Sequence, residues 1–73
     1  MTEGKPTGLK REDVSGREAV EFEGRPVHFF GEDHDAGGRV RLELETPGGS
    51  RVALYGYFGR GGEFFETDRE RLS

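Results

Sequence analysis

The sequence predicts a mainly β fold: a five-stranded antiparallel meander, forming a curled sheet or small barrel, with a short C-terminal helical turn. Three observations predict it. Short runs rich in Val, Phe, Leu and Tyr recur from Glu18 onward, and Gly-containing turns separate them. Within one run, Arg39 to Thr46, apolar and charged residues alternate strictly. The chain has 73 residues, which leaves room for one domain with one modest core, because so short a chain keeps a large part of its surface in water.

Residues 1–8 combine Gly, Pro, Thr and charge with almost nothing apolar, so burial there does not offset the entropy of ordering. They are expected to be a disordered tail, and residues 9–73 the single β domain. Leu9 to Ser15 suits a helical turn anchored by Leu9 and Val14 and ended by Gly16. The first strand is Glu18 to Phe22. Glu23-Gly24 supplies a tight turn into the second, Arg25 to Gly31, with Pro26 near the strand start where proline is tolerated. The loop Glu32 to Gly38 leads to the third strand, Arg39 to Thr46, in which Val40, Leu42 and Leu44 point one way and Arg39, Arg41, Glu43 and Glu45 the other. Pro47-Gly48-Gly49-Ser50 turns the chain into the fourth strand, Arg51 to Phe58. Gly59-Arg60-Gly61-Gly62 turns it again into a short fifth strand, Glu63 to Glu66. Thr67 to Leu72 carries a capping-box pattern, with Thr67 as N-cap and Glu70 three residues on, and is expected to start a helix.

Alternation sorts the strands into two faces. Val20, Phe22, Val27, Phe29, Val40, Leu42, Leu44, Val52, Leu54 and Phe58 are the expected core. The opposite face collects His28, Phe30, Arg41, Glu43, Ala53, Tyr55, Tyr57 and Phe65. Aromatic residues on both faces of the second and fourth strands mark the second face as an interaction surface. The alternative is that the sheet curls and takes some of these rings into its core.

Acidic residues outnumber basic ones by 15 to 11, and the formal charge of −4 speaks against non-specific attraction to nucleic acid or to an anionic membrane. Nine arginines stand against two lysines, which fits a GC-rich genome as readily as a role in recognition. There is no cysteine, hence neither a disulfide framework nor a thiolate zinc set. The chain shows no long apolar run and no apolar N-terminal segment, so it is read as soluble and cytoplasmic.

These features support a non-enzymatic binding or regulatory module that acts on a protein partner through His28, Phe30, Arg41, Tyr55, Tyr57 and Arg60. A homodimer is expected too, since one twisted sheet with no covering helix cannot keep both faces dry. The competing reading is single-stranded nucleic acid, with Phe30, Tyr55 and Tyr57 stacking bases and Arg41, Arg51 and Arg60 meeting phosphates. Leu54 to Gly62 resembles the aromatic-glycine strand of RNA-recognition and cold-shock domains over that short stretch. It lacks the basic residue ahead of the first glycine, and no family is assigned.

Asp33 and Asp35, with Gly37 two residues on, resemble the start of a calcium loop, and His28 and His34 with these acids are the alternative set for zinc or another divalent ion. The bidentate acid such a loop needs falls at Glu43 or Glu45, inside a predicted strand, so a solvated hairpin loop is the preferred reading. No cofactor is expected. Ser15, Ser50 and Ser73 lie in turns or at the terminus without a nucleophile-elbow sequence, and a sheet this small offers little depth for a perturbed acid pair. Enzyme activity is not expected. Gly59 to Gly62 lacks the lysine and helix of a phosphate loop and is read as a turn.

Overall fold

The computed structural model describes residues 4–15 and 18–73. It contains six strands, β1 (Lys5–Lys10), β2 (Val20–Phe22), β3 (Arg25–His34), β4 (Val40–Glu45), β5 (Arg51–Phe58) and β6 (Glu63–Arg71), with one helical turn, α1 (Arg11–Ser15), after β1. The spatial order is β1-β6-β5-β4-β3-β2, and every pairing is antiparallel. Strands β2 to β6 form the expected meander. β1 joins it at the far side, against β6, and the sheet curls until β1 approaches β2. The result is a nearly closed barrel.

Local chemistry accounts for most of these elements. Glu23 and Gly24 both have positive φ, 53° and 78°, the primed two-residue turn whose twist matches the flanking strands. β4 pairs with β3 from His28 onward, so the missing N–H of Pro26 removes no bond from that ladder. Three register shifts interrupt the ladders: β1 carries two extra residues between Pro6 and Lys10, and two single-residue bulges bend the sheet. On β3 the register shifts between Phe29 and Gly31, which makes Phe30 the extra residue. On β6 the partners of Tyr55 and Gly56 are Asp68 and Glu66, so Thr67 is extra, and its hydroxyl donates to the Tyr55 carbonyl at 3.1 Å.

Three expectations are corrected. The segment expected as a tail enters the sheet from Lys5 onward, held by Thr7, whose hydroxyl donates to the Phe64 carbonyl at 2.7 Å, and by Leu9, which is 1% exposed. Residues 1–3 of that tail lie outside the described residues, as does Gly16, the expected helix stop. The C-terminal helical turn is not formed. Pairing with β5 continues to Arg71, opposite Val52, and Thr67 is a bulge residue instead of an N-cap. The third change is of length: β3 runs on to His34, taking up the first half of the expected loop.

The core is a single cluster of Leu9, Val14, Phe22, Val27, Val40, Leu42, Leu44, Leu54 and Phe64, with Val20, Phe29, Val52 and Phe58 packed around it. All the expected core positions belong to it. Leu9 and Val14 extend it under the helical turn, and Phe64, absent from the expected core, is fully buried. Burial of each such side chain contributes about 1.5–3 kcal/mol. Ala53, expected on the outer face, is buried between its register partners Glu43 and Glu70.

Candidate interaction face

The outer surface of β3 to β6 carries five of the six residues singled out in the sequence, all but Arg60. Its geometry follows from β4, where Val40, Leu42 and Leu44 are buried and the intervening Arg41, Glu43 and Glu45 face outward. Register then sets the rows across the sheet. Asp33, Arg41, Tyr55 and Asp68 form one row, and His28, Glu45 and Arg51 another.

Tyr55 is the hub of the first row. Its hydroxyl accepts from Arg41 Nε at 3.2 Å and donates to Glu70 Oε1 at 3.0 Å. The guanidinium carbons of Arg39 and Arg41 lie 4.7 and 5.9 Å from its ring centre. Each arginine also meets an acid, Arg39 pairing with Asp35 at 3.2 Å and Arg41 with Glu43 at 3.3 Å. The hydrogen bond to Tyr55, together with the Glu43 charge, pushes the Arg41 pKa above its ordinary value. Tyr55 is therefore enclosed by cations and hydrogen-bonded at its tip.

Tyr57, two residues along β5, is different. It is 41% exposed and its ring stacks on Phe65 at 5.5 Å and 23°. Phe65 in turn stands opposite Pro6 of β1. Phe30 is 47% exposed at the β3 bulge, with the Arg51 guanidinium 4.8 Å from its ring centre. His28 is exposed opposite Glu45. The structure thus joins Arg41 to Tyr55 directly, sets Tyr57 beside them, and places Phe30 and His28 toward the Arg51 row. Arg60 is not part of the face, because it projects from the turn between β5 and β6 at the barrel end.

The sequence reading missed Arg39 and Glu70 as partners of Tyr55. Arg39 was visible as an outward position of an alternating strand. Glu70 was hidden, because its relation to Tyr55 depends on a pairing that the capping-box pattern concealed.

The acidic loop is organised by hydrogen bonds of its own. Asp35 Oδ1 accepts from the backbone N–H of Gly37 and of Arg39, both at 2.9 Å, and these bonds with the Arg39 guanidinium hold its carboxyl below the usual range. His34 Nε2 lies 2.7 Å from Glu32 Oε2, and Asp33 stands opposite Arg41. His34 and Asp35 are therefore directed to different partners, and Asp33 lies in the Arg41 row of the sheet. Among the described residues no three His, Cys, Asp or Glu side chains converge as a metal site, and no helix is long and apolar enough to cross a membrane.

No family model, no curated protein and no solved structure matches this chain.

Proposed function

We propose that this domain is a non-enzymatic, cytoplasmic binding and regulatory module that engages a protein partner through the outer face of β3 to β6, and that a second copy of the chain uses the same face. The observation that carries this reading is the pair of half-exposed rings, Phe30 and Tyr57, on a face that mixes arginines and carboxylates. Aromatic rings and arginines are the usual anchors of protein interfaces, and a mixed-charge surround suits a polar rim.

Single-stranded nucleic acid is supported less. A base needs an open ring, and Tyr55 is covered by two guanidinium groups. A phosphate approaching Arg39 or Arg41 would have to compete with Asp35 or Glu43. Glu45, Asp68 and Glu70 add negative charge to the same face.

The test is affinity capture with the wild type and with Phe30→Ala/Tyr57→Ala, alongside titration of a labelled oligothymidine at several salt concentrations. The expected result is a specific protein that binds the wild type, is lost from the variant, and shows a shallow salt response. Oligothymidine binding that weakens steeply with salt and disappears in Tyr57→Ala would replace this reading with the nucleic-acid one.

A further inference from the structure

The sheet ends in two edges, β1 and β2, and among the described residues no ladder joins them. β1 covers β6 only as far as Glu66, which stands opposite Lys5. Beyond that point Thr67 to Arg71 runs on with β5 on one side and the seam on the other. An open cleft of about 640 Å³ lies here, lined by Lys5, Pro6, Phe22, Glu23, Glu66 and Arg69 among others. The backbone N–H of Arg69 is bonded to the Asp68 carboxylate at 2.8 Å, which blunts this part of the edge.

One side chain bridges the cleft. Arg69 donates to both carboxylate oxygens of Glu23, at 3.1 and 3.0 Å, and to both of Glu66, at 2.7 and 2.8 Å. Its guanidinium carbon lies 5.4 Å from the ring centre of Phe22, so it also lids the exposed end of the core. At the other end of the barrel Arg11 pairs with Glu32 at 3.5 Å and rests over Phe58. Leu9 of β1 and Val14 of α1 belong to the same core cluster as Phe22 of β2.

Glu23 is an odd choice for its position. With φ at 53° it occupies the left-handed region, which suits Gly, Asn or Asp and strains a glutamate. Turn chemistry supplies no reason for it, whereas the reach of its carboxylate to Arg69 does. A strained residue kept for a single contact is the mark of a device. The pair is also exposed to water, 40% at Arg69 and 59% at Glu23, and exposed ion pairs are weak enough to open and close readily.

We propose that Arg69 and Glu23 form a latch on the barrel seam. When it is released, β2 and its turn swing away from β6, uncovering Phe22 and the cleft, while β4, β5 and β6 stay paired. Glu66 remains on the same strand as Arg69 and holds the guanidinium ready to re-engage.

Hydrogen exchange by mass spectrometry on the full chain tests this, with the wild type compared with Glu23→Gln, Glu23→Gly and Arg69→Leu. Glu23→Gln keeps the side-chain size without the charge. Glu23→Gly relieves the strained turn and removes the latch together. The expected result is faster exchange over residues 20–27 in Glu23→Gln and Arg69→Leu, by about 1.5-fold to fivefold for loss of one exposed pair, with residues 40–56 unchanged, and slower exchange in Glu23→Gly than in Glu23→Gln because its turn strain is relieved. Exchange in Glu23→Gly as fast as in Glu23→Gln or faster would overturn the reading of Glu23 as a strained residue held by its contact. Equal acceleration over residues 20–27 and 40–56, or none in Glu23→Gln, would overturn the latch itself. Should Arg69→Leu fail to fold, the two Glu23 variants decide the matter alone.

Discussion

Glu23 and Asp35 hold carboxylates whose ionised forms the fold favours, and they set its response to acid. Hydrogen bonds from Arg69 hold Glu23 below its ordinary value of 4.5, and those from the Arg39 and Gly37 amides and the Arg39 guanidinium hold Asp35 below 3.8. A group with a depressed folded pKa stabilises the fold above its unfolded pKa, and that contribution fades as pH falls through the folded value. The melting temperature should therefore stay level from neutral pH to about 4.5 and decline below it. Glu23→Gln and Asp35→Asn should each flatten that acid limb, Asp35→Asn while keeping an oxygen for the two amides. Melting curves against pH check this, and an acid limb unchanged in the double variant would assign it to other groups. Gly56 makes a different demand. Its backbone sits against Phe65 so closely that an added Cβ would collide with the Phe65 carbonyl. Gly56→Ala should cost about 1–3 kcal/mol, measured by urea unfolding, because backbone on both sides resists the shift.

At the scale of elements, what the sequence revealed and what it hid divide along the distance between partners. β4 was legible because its alternation is complete within itself, and the turns at Glu23-Gly24 and Pro47 to Ser50 were legible because four residues suffice to specify them. β1 and the second half of β6 were not. β1 has one buried apolar residue, Leu9, and is ordered by β6, whose Phe64 carbonyl accepts from Thr7 across 57 positions. In β6 the pattern from Thr67 to Glu70 satisfies a capping box locally, yet pairing with Val52 to Tyr55 extends a ladder that already exists, whereas a new helix must be nucleated. The candidate face was legible for the same reason as β4; of its missed partners of Tyr55, Arg39 lies at the outward start of that alternation, whereas Glu70 lies on the misread segment, as does the seam residue Arg69. The strand assignment makes its own prediction. Thr67→Val keeps the branched shape but loses the bond to the Tyr55 carbonyl, and should destabilise the fold by about 1 kcal/mol with no loss of helical signal in far-ultraviolet dichroism.

For the molecule as a whole, closure of the barrel changes where a second copy would dock. An open sheet would need a partner to keep its apolar face dry, but the curled sheet buries that face within one chain. Edge-to-edge pairing is unfavourable by charge. Two β2 edges would bring Glu21 against Glu21, and two β1 edges would oppose Lys5 and Lys10 with the donor-less Pro6 between them. The outer face remains, where Phe30 and Tyr57 are the exposed rings. Light scattering over a dilution series should therefore show a dimer that Phe30→Ala/Tyr57→Ala converts to a folded monomer with an unchanged far-ultraviolet dichroism spectrum, since neither ring belongs to the core cluster. Glu21→Pro, which removes a backbone N–H from the β2 edge, should leave the dimer intact. A dimer that survives the first substitution and yields to the second would move self-association to the β2 edge, leaving the aromatic face free for a different partner. A wild type that is monomeric at every concentration would remove the second copy from the proposal and leave Phe30 and Tyr57 as anchors for another protein.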